Sequence, residues 1–130
     1  MKKALLLFGL FISLAISVSA QKVKEEKAIS VAAGSYYPFT YTFTETGRAW
    51  GKFEATGGKN DIECYILDEN GFKNFKNNNQ FRYLYFSGRV TVETFDLTLT
   101  KGTYYLVFSN KWSVMTPKAV TISFYEEDRK

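Results

Sequence analysis

Residues 102–109 read Gly-Thr-Tyr-Tyr-Leu-Val-Phe-Ser, a run in which large apolar side chains fill most positions. In an extended chain Tyr104, Leu106 and Phe108 share one face, and the residues between them share the other. Aromatic and branched residues of this kind favour a pleated, half-buried backbone. Residues 103–109 are therefore predicted to form a β-strand that contributes to the core, with Gly102 in the turn that precedes it.

Outward from this strand, the chain after residue 27 repeats the same character between turn-forming glycine, asparagine and aspartate residues. Seven more strands are predicted, over residues 28–33, 36–44, 48–55, 61–67, 82–86, 90–99 and 119–125. No segment after residue 20 has a helical period, and residues 72–80 are expected to form a long polar loop or a loosely paired segment. Leu97 and Leu99 alternate with Thr98 and Thr100, which predicts one buried and one solvated face per sheet. We expect an all-β, antiparallel, jelly-roll-like sandwich of about eight strands.

The first 20 residues have the three-part pattern of a secretion signal peptide. Lys2 and Lys3 precede an apolar run over residues 4–16, and small residues follow over 17–20. The apolar run is shorter than the roughly 20 residues that span a bilayer. We expect cleavage before Gln21, a secreted or periplasmic location, and no integral membrane span in the mature chain. An uncleaved membrane anchor is the alternative.

The remaining 110 residues suit one domain. Residues 21–27 are charged and lack an apolar period, so they are expected to form a flexible segment before a single β-sandwich domain over residues 28–130. Without the two lysines of the leader, fifteen basic residues face thirteen acidic ones, a formal net charge of +2. This small excess argues against a nucleic-acid partner.

The chain has no histidine and a single cysteine, Cys64. It therefore lacks the commonest general base, the usual ligands of a zinc site and any intramolecular disulfide. Cys64 alternates with Ile62 and Ile66, which predicts a buried core position. Phosphate-binding glycine motifs are also absent.

Paired carboxylates are the one catalytic route left. Asp61 with Glu63, or Glu93 with Asp96, could supply an acid and a base for a hydrolase. A solvated outer strand face explains these residues better. We therefore expect a protein that is not an enzyme and needs no cofactor.

Calcium is a weak alternative at the turn near residue 68. Asp61, Asp68, Glu69 and Asn70 offer the oxygen ligands that calcium prefers. Their spacing does not match an EF-hand loop, and Asp-Glu-Asn-Gly is a common turn composition. No metal site is assigned, with Asp61, Asp68 and Asn70 as weak candidates.

Three stretches together resemble a known family. They are residues 47–58 (GRAWGKFEATGG) leading to residue 62, residues 61–71 (DIECYILDENG), and residues 102–113 (GTYYLVFSNKWS) continuing to residue 120. They resemble the GOLD domain, the β-sandwich of p24-type Golgi trafficking proteins and of some lipid-transfer proteins. The resemblance implies a sandwich that recognises protein or membrane cargo. Residues 60–71 and 102–107 are also similar to pre-peptidase C-terminal domains of secreted bacterial proteins, which are sandwiches without catalytic residues.

Two segments are the candidate binding surfaces, because exposed aromatic side chains rimmed by polar groups often mark interaction sites. One is a loop after residue 110, and the other is the polar segment after residue 71. The candidate residues are Phe72, Phe75, Phe81, Trp112, Ser113 and Met115. A protein partner at the cell envelope is the first hypothesis, and a carbohydrate or lipid ligand is the alternative. The phenylalanines could instead fold back and cover one end of the sandwich.

Overall fold

The computed structural model describes residues 22–56 and 61–128. The predicted signal peptide and residues 21, 57–60, 129 and 130 lie outside the described residues. The elements are β1 (Lys22–Val31), β2 (Tyr36–Phe43), β3 (Gly47–Thr56), β4 (Ile62–Asp68), α1 (Glu69–Lys76), β5 (Tyr85–Val90), β6 (Val92–Leu99), β7 (Gly102–Ser109) and β8 (Lys118–Asp128).

The eight strands form two four-stranded sheets in which all pairs are antiparallel. Sheet A has the order β1-β8-β3-β6, and sheet B has the order β2-β7-β4-β5. Consecutive strands change sheet at every step except β4 to β5, which is the order of a jelly roll. The predicted fold class is confirmed.

The main core lies between the two sheets. Tyr104, Leu106 and Phe108 of β7 point into it, as their alternation predicts. The ring of Phe108 meets that of Phe53 from sheet A edge to face, with centroids 5.2 Å apart. Cys64 is completely buried here, which confirms its predicted position, and burial raises the pKa of its thiol.

Residues 22–27 are part of β1 and do not form the expected flexible segment. The register runs from Lys22 opposite Glu127 to Val31 opposite Lys118. Main-chain hydrogen bonds make this pairing whatever the side chains are, and charged residues are common on edge strands. The hydroxyl of Tyr41 also donates to the carboxylate of Glu25 over 2.9 Å. The charged residues 22–27, which have no apolar period, therefore belong to an edge strand and not to a flexible segment.

The helix α1 contains residues 72–76 of the polar loop that the sequence predicts over residues 72–80, so the prediction is wrong for these residues, while residues 77–80 are in neither a helix nor a strand. Asp68 caps α1, since its Oδ1 accepts a hydrogen bond from the Gly71 amide over 2.7 Å. Phe72 and Phe75, three residues apart, share one buried face of α1. They cover Leu67 and Val107 on the outer face of sheet B. This part of sheet B is therefore buried on both faces, and the prediction of one solvated face per sheet is wrong here.

The Asp68 cap gives a first prediction. Asp68→Ala should lower the free energy of unfolding by about 1 kcal/mol, because it leaves a first-turn amide of α1 without its acceptor. Asp68→Asn keeps an oxygen at this position and should cost only a few tenths of that. Urea denaturation of both variants makes the measurement. Equal stability of the alanine variant and the wild type would contradict a stabilising cap.

Candidate functional site

A groove of about 390 Å³ crosses the outer face of sheet B beside α1. Its floor is formed by outward-facing side chains of β4 and β7, one wall by the end of α1 and the segment after it, and the other by the loop after β7. We call it the sheet-B groove. Its lining residues are Glu63, Tyr65, Phe75, Asn78, Asn79, Phe81, Ser109, Lys111 and Trp112.

The sheet-B groove brings together the two candidate surfaces of the sequence. Phe81 comes from the segment after α1, and Trp112 comes from the loop between β7 and β8. Lys111 joins the two walls, because its ammonium donates to the Asn78 side-chain oxygen over 2.8 Å and to the Phe75 carbonyl over 3.3 Å. The two predicted surfaces are thus parts of one site.

The first wall depends on how α1 ends. The Asn78 amide donates to the Phe75 carbonyl, and the Asn79 amide donates to the Asn74 carbonyl over 2.9 Å. Asn78 has a φ of 58°, a left-handed conformation that asparagine tolerates better than most residues. The chain therefore reverses here and places two amide side chains at the groove.

The second wall is a loop closed by its own hydrogen bonds. The side-chain amide of Asn110 donates to the Thr116 carbonyl over 2.8 Å. The Ser113 hydroxyl donates to the same carbonyl and accepts from the Thr116 amide. Ser113 is buried, so it shapes the loop and is not an accessible binding group. Met115 is 84% exposed at the tip but does not line the groove.

Trp112 stands between basic side chains. The guanidinium carbon of Arg89 lies 4.0 Å from the centre of its ring, and the Lys118 ammonium lies 4.9 Å from it. Arg89 also lies 3.8 Å from the carboxylate of Glu63. Burial raises the pKa of Glu63, while Arg89 acts in the opposite direction. Burial likewise raises the pKa of Tyr65 to about 12, so the groove floor carries a neutral phenol.

Phe72 and Phe75 are not exposed anchors. Phe72 is 8% exposed and stacks on Tyr105 with ring centres 4.1 Å apart. Phe75 is 3% exposed and reaches the groove only from beneath. Both side chains fold back onto the protein, as the alternative interpretation predicts, but they cover the outer face of sheet B and not one end of the sandwich. Phe81 is half-buried and remains partly accessible.

The acidic candidates have structural contacts of their own. Asp68 caps α1, and Asp61 accepts from the Thr91 hydroxyl over 3.5 Å. Asp96 forms a two-pronged ion pair with Arg48 at 3.0 and 2.8 Å. Within residues 22–56 and 61–128, no three carboxylate or thiol side chains are grouped as metal ligands would be. Neither the calcium site nor the hydrolase gains support from this placement.

The structure contains a second aromatic cluster that the sequence does not predict. Trp50 and Tyr125 lie parallel on the outer face of sheet A, 9° apart with ring centres separated by 5.3 Å. Arg48 lies over the Trp50 ring at 4.2 Å, and Lys24 lies over the Tyr125 ring at 5.8 Å. The alternation of Ala49 and Gly51 places Trp50 outside, but its neighbour depends on the β3–β8 register. The rings pack on each other and on cations, so they form no open platform.

Comparison with known proteins identifies the fold and no family. No family model and no curated protein matches the chain. Among solved structures, the mitogen derived from Yersinia pseudotuberculosis has a TM-score of 0.51 at 10% identity, over 85% of this chain and 88% of that one. A Bacillus endospore appendage protein, described as forming disulfide-linked pili, has a TM-score of 0.50 at 9% identity, over 86% and 92%. Such identities show a shared architecture only. In the part of the chain that the structure describes, no helix is long and apolar enough to cross a membrane.

Proposed function

We propose that this chain is a non-catalytic binding module of an extracytoplasmic compartment, and that a protein partner binds in the sheet-B groove. The observation that carries the proposal is the convergence of Phe81 and Trp112 on one groove whose walls are joined by Lys111. Aromatic anchors in a preformed concave site are typical of interfaces. The predicted leader supports the compartment, and the resemblance to GOLD domains points to the same kind of partner.

The arrangement of the rings favours a protein over a carbohydrate. A sugar ring stacks on an open aromatic face, so a carbohydrate site predicts exposed and roughly coplanar rings. In the groove Tyr65 and Phe81 meet at 72°, and Phe75 and Phe81 meet at 87°. The Trp112 ring is already in contact with Arg89 and Lys118. Mixed ring orientations suit the irregular side chains of a protein surface better.

The lining chemistry favours binding over catalysis. Among the described residues that line the groove, Glu63 is the one carboxylate, and it forms an ion pair with Arg89. Acid and base catalysis needs two groups whose protonation states differ and which face the same reacting atoms. A single carboxylate beside a guanidinium does not provide that pair.

Site-specific photo-cross-linking tests the proposal. Asn79 is an exposed residue of the groove wall, and a benzophenone amino acid in its place should cross-link one protein of the cell envelope. The same group at Thr98, exposed on the outer face of sheet A, is the matched control. Capture at both positions, or at neither, would contradict a groove-directed protein partner. Binding to a glycan array that is lost in Phe81→Ala would favour the carbohydrate alternative instead.

A further inference from the structure

We infer that the partner presents an extended acidic segment to the sheet-B groove. This inference rests on the proposed function, because it names the chemistry of the ligand of that same groove. Three features carry it: the charge on this side of the molecule, the surroundings of two lysines, and a row of amide side chains.

The charge on the groove side is unbalanced. Among the described residues, five basic side chains lie on α1, on the outer face of sheet B or in the loops that border them, and a sixth, Lys118 of β8, contacts the Trp112 ring. Four acidic residues lie on the same side, so the balance is Lys73, Lys76, Arg82, Arg89, Lys111 and Lys118 against Asp61, Glu63, Asp68 and Glu69. Asp68 caps α1, and Glu63 faces Arg89. On the outer face of sheet A the side chains that the structure describes are close to balanced, with Lys24, Arg48 and Lys52 against Glu26, Glu54, Asp96 and Glu127. A positive side of this kind attracts anionic partners.

Two lysines beside Trp112, Lys111 and Lys118, form no ion pair with a carboxylate of the described residues. The Lys111 ammonium donates to two neutral oxygens, those of Phe75 and Asn78, and lies over the Phe75 ring at 4.4 Å. Lys118 is completely buried, and across the described residues its ammonium has neither a hydrogen-bond acceptor nor an ion-pair partner. The indole N–H of Trp112 is also a buried donor without an acceptor there. Electrostatic attraction is stronger where water is excluded, so the ammonium groups of Lys111 and Lys118 favour a carboxylate of the ligand beside Trp112.

The amide side chains indicate that the acidic ligand is a peptide. Phe81 separates the groove from a second depression of about 420 Å³, whose other lining residues are Asn70, Asn74, Gln80 and Arg82. With Asn78 and Asn79, five amide side chains border the two depressions. Each amide carries both a donor and an acceptor, which are the groups that a peptide unit presents in return. An extended segment crossing Phe81 would meet amides along its backbone and Arg82 and Lys111 at its two ends.

A matched pair of peptides tests this inference. The acidic probe is a fluorescein-labelled octapeptide with the sequence Glu-Leu-Glu-Tyr repeated twice, and the neutral probe has glutamine in place of each glutamate. Fluorescence anisotropy with the full chain at low ionic strength should show binding of the acidic probe about tenfold or more tighter than of the neutral one. The difference should shrink in about 0.5 M salt, because exposed charges are screened.

Variants locate the binding on the surface. Lys111→Gln and Arg82→Gln should each weaken the acidic probe about two- to fivefold, the range of a partly exposed ion pair. Lys52→Gln removes the same charge from the outer face of sheet A and should leave the affinity unchanged. Equal binding of the two probes, or equal effects of all three variants, would overturn the inference. If cross-linking at Asn79 still captures a protein, the proposed function stands and only the acidic ligand is wrong.

Discussion

Replacement of Phe75 by alanine is expected to lower the free energy of unfolding by about 3–5 kcal/mol, as for other large aromatic residues removed from a core. Phe75 is 3% exposed, and its ring contacts those of Tyr36, Tyr65 and Phe81 with centres 5.1 to 5.5 Å apart. Truncation leaves a cavity under α1 that the sheet cannot close. Guanidinium denaturation followed by far-ultraviolet circular dichroism measures the loss.

Two variants separate packing from the general effect of a lost ring. Phe75→Leu keeps most of the volume and should cost less than about 1.5 kcal/mol. Phe81→Ala removes a half-buried ring from the same cluster and should cost clearly less than Phe75→Ala. If Phe75→Ala and Phe81→Ala were equally stable, α1 would not be held by the packing of Phe75. The groove is therefore better tested at Asn79 and Lys111 than at this residue.

The strands follow from the sequence because their signal is local. Alternation along residues 61–67 and 102–109 decides which side chains face the core, and the structure places Cys64 and Phe108 there. The predicted strand bounds differ from the observed ones at β1 and β8, where charged residues extend the pairing, and at β5, which covers residues 85–90 and not the predicted 82–86. Side-chain hydropathy does not report main-chain hydrogen bonds, so it does not predict the charged ends of β1 and β8.

The helix α1 escaped detection for a different reason. It has eight residues and only two large apolar side chains, Phe72 and Phe75, within an asparagine-rich stretch. An amphipathic period is recognisable over about 11 residues or more. Asp68 fits either a turn or the N-cap of a helix, because in both its side-chain oxygen accepts a hydrogen bond from a nearby main-chain amide. Packing against Leu67 and Val107 decides between them, and that contact is set by the tertiary fold.

The sequence identifies candidate residues of the site, but it does not predict that they lie next to one another. Phe81 and Trp112 were named separately, but their meeting depends on the order β7-β4 in sheet B and on the path of α1. The charges around them, Arg89 and Lys118, come from strands on different sheets. Neither has a sequence signal that links it to Trp112. A single sequence does not determine which distant strands pair or in what register.

Lys118→Met is expected to raise the free energy of unfolding by about 1–3 kcal/mol. Lys118 is completely buried, and its ammonium contacts the Trp112 ring without any acceptor among the described residues. Burying one ion costs several kcal/mol, whereas a desolvated cation–π contact returns about 2 kcal/mol. Methionine fills a similar volume without a charge. The midpoint of urea denaturation measures the gain, and Lys52→Met, at an exposed position, should change stability by less than about 0.5 kcal/mol.

A stabilised Lys118→Met chain should also bind the acidic octapeptide more weakly than the wild type. Most substitutions that impair binding through structural damage reduce stability, so opposite signs of the two effects assign an electrostatic role to the ammonium. The neutral octapeptide is the control, since its affinity should not depend on a charge behind Trp112. A loss of stability in Lys118→Met would show instead that the folded chain compensates this charge. The unpaired lysine would then be part of the scaffold, and the positive wall of the groove would rest on Lys111 and Arg89 alone.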